Sequence, residues 1–341
     1  MCTPSQLKEV YRPEEEATGL VAAALKQTTS RRGLLTGALA FSVAPLVGWL
    51  PASAATNMTF SEIAPGVFVH QGPHELQSPQ NRGDMANASF IVGNDSVAVI
   101  DTLGSAKAAG DMRAAIKSIT DRPIRYVINS HMHPDHVFGN AAFKGDGVQF
   151  VGHHKLLRGL DQRAGSYLAG SKAMMGEDAF AGSEVVLPTL SVDDRLTLDL
   201  GGRKLELEAQ SVAHTDNDLI ITDSATGTLF LGDLLFSGHI PTLDGSLRGW
   251  LALIEQLDRH EPARVVPGHG PHAMTLPEAM GDEQRYWSTV AADVRQLIKE
   301  GRSMTEATKT AGQSERGKWE MFDQYHVRNV TAAYAELEWE E

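Results

Sequence analysis

The chain has 341 residues, 42% of them apolar, and a formal charge of −13. That length and apolar content support a large core in one or two domains. The acidic balance, spread along the chain, excludes a nucleic-acid partner, which would need a basic patch to meet phosphates.

Residues 1–54 read as a cleavable export signal. Arg31-Arg32 precede an apolar run from Gly33 to Leu50, and Ala52-Ser53-Ala54 supply a small-residue cleavage site. The paired arginines point to the twin-arginine route, and so to a periplasmic or secreted mature protein that arrives folded. A membrane anchor is the competing reading. Gly33, Gly37, Pro45 and Gly48 interrupt the run and the cleavage site follows it, so no stable anchor is expected. The only cysteine, Cys2, lies in the signal. The mature protein therefore has no disulfide, no thiolate nucleophile and no sulfur ligand for a metal.

After the signal, residues 66–72 and 88–104 read as strands. The second stretch is a hairpin broken by Gly93-Asn94-Asp95. Residues 105–120 are helical, 124–130 a buried strand, 148–152 another strand, and 153–164 a helix. Residues 165–182, rich in Gly, Ala and Met, show no clear period and read as a helix or a lid. Residues 195–210 alternate around Gly201-Gly202 as a second hairpin, and 218–233 form a third with its turn near Ala225–Gly227. A helix over 246–260, a strand over 263–268 and helices from about 277 onward complete the chain. Hairpins with helices between and after them, in a pattern that occurs twice, predict an α/β fold of four layers: two sheets face to face with helices outside. The expected division is a catalytic domain over 55–279 and a helical C-terminal extension over 280–341.

The stretch "NSHMHPDHVFGN" places His131, His133, Asp135 and His136 just beyond the buried strand 124–130. A polar surface loop would be the plain explanation. Three further segments argue against it, because His214, Asp233 and His269 also follow predicted strands. Loops on a rigid scaffold are where function concentrates. Imidazoles and carboxylates are the donors that hold Zn²⁺ when no thiolate is available, and iron or manganese accept the same set. Seven ligands exceed what one zinc needs and suit two. Asp233 is the candidate bridge, one oxygen to each ion, and two such ions can share a water acidified to near neutrality.

"HMHPDH" matches the H-x-H-x-D-H signature, and with His214, Asp233 and His269 in order the chain resembles the metallo-β-lactamase superfamily over about residues 62–275. The resemblance implies an αβ/βα sandwich with two metals at one edge of the sheets. It implies one metal on His131, His133 and His214, and a second on Asp135, His136 and His269, with Asp233 bridging. Asp101, closing "VAVID", matches an aspartate that supports the ligands from behind. The signal, the C-terminal helices and "HIPTLDGSLRGWL" resemble an exported zinc-metallohydrolase branch found beside quinoprotein and sulfur-oxidation systems. Well-known zinc β-lactamases carry a cysteine where Asp233 stands. The aspartate instead resembles thioester hydrolases of the glyoxalase II type, lactonases and phosphodiesterases.

The expected function is hydrolysis of an ester, thioester, lactone or related bond in a small-molecule substrate by hydroxide held between two zinc ions. Asp135 and Asp233 would be the catalytic carboxylates, with Asp135 orienting the nucleophile. A mononuclear-iron persulfide dioxygenase and a non-catalytic accessory protein of a quinoprotein relay are the alternatives. His239, Asp244 and His74 are expected substrate contacts, and His70 and His74 would form a flap over the site. His153 and His154 read as the solvated start of a helix, Met174 and Met175 as packing, and Trp250 as an anchor for its helix. Ser211 and Ser237 have no base nearby in sequence, which excludes a serine hydrolase.

Overall fold

Strands come first in the described chain. β1 (Ser61–Ala64), β2 (Val67–His70), β3 (Ala88–Val92) and β4 (Val97–Ile100) form an antiparallel meander. Helix α1 (Ala106–Ile119) crosses to β5 (Ile124–Ile128). The short helix α2 (Pro134–Val137) leads to β6 (Gln149–His153), and the long helix α3 (Leu156–Phe180) to β7 (Leu190–Val192). β4 to β7 pair in parallel, as crossover helices require, and extend the meander into one seven-stranded sheet. The second sheet holds β8 (Arg195–Asp199), β9 (Lys204–Ala209), β10 (Leu219–Asp223) and β11 (Thr228–Phe236). After helix α4 (Leu247–Leu257), β12 (Arg264–His269) adds in parallel beside β11. Helices α5 (Gly281–Lys299), α6 (Met304–Thr310) and α7 (Phe322–Leu337) follow. The computed structural model describes residues 58–340 apart from 146, 258 and 260, so the signal and its cleavage site lie outside the described residues.

Alternation along the strands sets the layers. Ala98, Ile100, Tyr126 and Ile128 of the first sheet meet Leu205, Leu207, Ile221 and Phe230 of the second in one buried cluster. Val97, Val99 and Val127 point the other way, onto Ala108, Met112 and Ile116 of α1. Leu229, Leu231 and Val265 face outward from the second sheet, onto α4, α5 and α7. Successive side chains leave a strand on opposite faces, so a sheet covered on both sides needs apolar residues at nearly every position. The result is the expected four layers. Among the described residues, no helix is long and apolar enough to cross a membrane.

The element readings need three corrections, and the open reading of 165–182 resolves to its helical alternative. β1 and β7 were not expected; they are edge strands of four and three residues with half-exposed sequences. His153 does not open a helix: it is buried as the last residue of β6, while His154 is exposed beyond it. Residues 165–182 continue α3 to Phe180 across a kink at Gly176 (φ +81°). Asp233 lies inside β11, and His269 ends β12, rather than following these strands.

The C-terminal helices share the core of the second sheet. Tyr286, Trp287 and Val290 of α5 and Phe322, Val330 and Leu337 of α7 are buried in the same cluster as Trp250 of α4. The Trp250 and Trp287 rings lie 5.0 Å apart, so Trp250 does anchor its helix.

Candidate metal centre

β5 ends at Ile128 in the first sheet, and the chain then turns into α2 with Pro134 in its first turn. Proline suits that position because its missing N–H has no helical partner there. The turn is pinned from two sides. The Asn129 amide donates to the His136 carbonyl (3.1 Å), which also accepts from Thr102 N (3.0 Å). Asp101, at φ +57°, accepts from Ser130 N (2.8 Å), Ser130 Oγ (2.7 Å) and His136 Nδ1 (2.9 Å).

These bonds decide which face of each imidazole looks inward. His136 donates through Nδ1 to Asp101, so Nε2 is turned inward, toward Asp233. Ser130 Oγ spends its one hydrogen on Asp101, so His131 Nδ1 donates to it (3.0 Å) and bares its own Nε2. His214 Nδ1 donates to the Thr242 carbonyl (2.7 Å), baring Nε2. His133 Nε2 donates to Asp244 (3.0 Å), baring Nδ1. Fixing the far nitrogen as a donor is how proteins prepare an imidazole to ligate.

The bared nitrogens converge. His133 Nδ1 lies 3.1 Å from His131 Nε2 and 2.8 Å from His214 Nε2. Burial, with the neighbouring His136, holds His131 well below the usual histidine range, and burial lowers His214 to about 3. The Nε2 lone pairs of His131 and His214 therefore face His133 Nδ1 at close range, an arrangement that a cation at their centre satisfies. Asp233 Oδ2 completes this group, 3.4 Å from His214 Nε2 and 3.7 Å from His131 Nε2. Asp233 Oδ1 turns the other way, 3.1 Å from His136 Nε2 and 3.5 Å from His269 Nε2. Asp135 Oδ2 closes the second group, 3.4 Å from His269 and 3.7 Å from His136. Within each group the ligand atoms lie within 4.8 Å of one another.

In the second group the charges balance through protons. Burial opposes charge on His136 and His269, but Asp233 and Asp135 outweigh it. His136 is raised well above its ordinary value and His269 to about 9. Burial likewise opposes charge on Asp135, but His136 and His269 hold it far below the usual carboxylate range. A metal there would replace those protons. The seven residues fit a binuclear site, and the donor set alone leaves the identity of the ions open.

Asp233 owes its place to two glycines. Gly232 (φ +50°) sits where β11 slips register against β12. Bulges of this kind re-aim side chains beside active sites. A Cβ on Gly268 would fall 2.0 Å from Asp233 Oδ1, so only glycine leaves the carboxylate room.

The family model described as the metallo-beta-lactamase superfamily matches residues 81–269, more than half of the chain. The chain belongs to the metallo-β-lactamase superfamily. Solved structures of that fold are similar to it at low identity. A metallo-beta-lactamase from Pontibacter korlensis is 17% identical with a TM-score of 0.55, over 68% of this chain and 99% of that one. TMB-1 is 18% identical with a TM-score of 0.52, over 68% and 97%. The stereoselective inverting sec-alkylsulfatase Pisa1 from Pseudomonas sp. is 17% identical with a TM-score of 0.59, over 81% of this chain. The chain spans half of that sulfatase's length. At these identities the likeness establishes the fold alone.

A cavity of about 350 Å³ opens over the two groups. Asp135, Asp233 and His269 line its floor, and Leu76, Met85 and Met174 its apolar wall. Met174 thus faces the cavity, while Met175 is buried as packing. The three expected substrate contacts have different positions. His239 lines the cavity, stacked on His269 with ring centroids 4.9 Å apart. Asp244 holds His133 from behind. His74 is bonded to Glu320 (3.0 Å) and set edge-on against His239. His70 is not part of a flap: it is buried on β2, bonded to Asp84 (2.8 Å) and the Thr59 carbonyl (3.0 Å). Sequence reasoning missed Arg163, Tyr167, Tyr325 and Arg328, which line the cavity from α3 and α7. Nothing local marks them, since they lie far from the ligand motifs in the chain.

Asp101 offers a direct test. Asp101→Asn keeps the shape but exchanges one acceptor oxygen for a donor NH₂ and loosens His136. We expect metal affinity at the second position to fall about ten- to a hundredfold, with the first position much less affected, as read by competition with a chromogenic chelator.

Proposed function

We propose that this chain is a binuclear metal hydrolase acting on an ester, thioester, lactone or related bond, with zinc as the physiological ion. The observation that carries this reading is Asp233, whose two oxygens face two separate imidazole clusters at the floor of an open cavity. Two divalent ions held there would supply an acidified water and a polarising charge.

The chain's own residues prepare that chemistry. Asp101, Thr242 and Asp244 orient His136, His214 and His133 and fix their tautomers. Asp135, which lines the cavity, would orient an attacking water. Phe236 stacks on His269 at 5.1 Å and keeps that ring upright. Export by the twin-arginine route belongs to the same proposal and rests on Arg31-Arg32.

The test is metal content, followed by label transfer. Two zinc ions per chain are expected. Chelation should abolish ester or thioester turnover, and zinc should restore it. In ¹⁸O water the label should reach the acid product within a single turnover, since no acylated side chain intervenes. One iron per chain with oxygen consumption would overturn this reading in favour of the dioxygenase.

A further inference from the structure

Asp244 is shared by more cations than it can neutralise. Its Oδ2 accepts from His133 Nε2 (3.0 Å) and from Arg163 (3.0 Å), and its Oδ1 lies 3.4 Å from Arg328. As a metal ligand His133 brings no charge, so one carboxylate faces two guanidinium groups and one positive charge is left over. In a chain of net charge −13 that surplus is local, and it stands at the mouth of the cavity. Asp244 is 18% exposed, whereas the Arg163 and Arg328 side chains are 40% and 55% exposed and line the cavity. Each guanidinium has five N–H donors, and Asp244 engages few of them. The remaining donors can form the planar fork that binds a carboxylate or a similar oxyanion.

The two arginines come from distant parts of the chain. Arg163 lies on α3 and Arg328 on α7, and each helix adds a tyrosine to the cavity wall, Tyr167 and Tyr325. The seat is one carboxylate and one imidazole ring away from the first metal group. The cavity between them is walled by Leu76, Met85 and Met174.

We infer that Arg163 and Arg328 form an anion seat, and that the site takes substrates bearing a carboxylate or comparable oxyanion several carbons from the bond that is cleaved. The cleavage rests on the hydrolase reading; the seat itself is a binding site and does not. A reaction that supplies this substrate would therefore leave a free acid group in place and esterify or thioesterify the other end.

Calorimetric titration of the zinc-loaded protein with adipate and with pentanoate tests the seat. The second carboxylate of adipate should make it about tenfold the tighter ligand. That ratio should fall close to one in Arg163→Gln and Arg328→Gln, and only partly in Arg328→Lys, which keeps charge but loses the fork. Equal affinities in the native protein, or a ratio that survives both glutamine variants, would overturn the seat. So would loss of a zinc ion from either glutamine variant, which would assign the arginines to holding Asp244 alone. If a glutamine variant fails to fold, Arg328→Lys decides by the same ratio. Turnover of mono-4-nitrophenyl adipate against 4-nitrophenyl pentanoate separates the two readings. An arginine-dependent binding preference without turnover of either ester keeps the seat and removes the hydrolase.

Discussion

Replacing Asp233 with alanine is expected to leave at most one metal per chain and to bring hydrolysis below detection. One side chain serves both groups: Oδ2 faces His131 and His214, and Oδ1 faces His136 and His269. Alanine removes a ligand from each group at once. It also removes the negative charge that most strongly favours the protonated form of His136 and His269, so His269 would be left buried beside Asp135 alone and His136 beside Asp135 and Asp101. Stability should drop with the lost metal. An ion present at a thousand times its dissociation constant contributes about 4 kcal/mol to the folded state. For a chain of this size that corresponds to a melting temperature lower by on the order of 10 °C. The measurements are metal analysis and a thermal melt beside chelated native protein, which should melt near the variant. Full metal content in Asp233→Ala would remove the bridging role.

Much of this centre was legible because its ligands lie in four short segments, three at a strand end or turn and one, Asp233, inside β11. What tertiary structure added is orientation. Asp101, Ser130 and Thr242 decide which nitrogen each histidine presents, and nothing in the spacing of "HMHPDH" reveals that. Asp244 shows the same limit. Its place after the bridging ligand suggested a substrate contact, but its carboxylate is taken by His133, Arg163 and Arg328, contributed from residues 81 and more positions away.

Fold legibility followed burial. β4 is covered on both faces and reads as an unbroken apolar run, β5 is buried from Tyr126 onward, and β11 is buried throughout and apolar on either side of Gly232-Asp233, which identified them. β1 and β7 are short edges with exposed residues and carry little pattern. α3 hid its period because Gly165, Gly170 and Gly176 interrupt it and much of it is half-exposed. His153 was misread as helical because a polar pair followed by Lys155 looked like a helix start.

A chain ending at Glu300 is expected to be insoluble or to lose its cooperative melt, because α6 and α7 cover the second sheet's outer layer. Trp319, Phe322, Val330, Ala333 and Leu337 are buried against α4 and α5. Each large apolar side chain among them contributes about 1.5–3 kcal/mol by burial, and together they rival the 5–15 kcal/mol of a typical domain's net stability. Asn329 adds a polar tie to the metal centre. Its amide donates to the Pro241 carbonyl (2.7 Å) and to the Tyr286 hydroxyl (2.9 Å), and its oxygen accepts from Leu243 N (3.0 Å). That loop carries Thr242, whose carbonyl orients His214. The milder variant Asn329→Ala should therefore fold, lose about 2–3 kcal/mol through the groups left unpaired, and weaken the first metal position more than the second. Thermal melts and metal titration read the two effects separately. A soluble 58–300 chain that melts cooperatively and holds two metals would show that the catalytic layers stand without these helices.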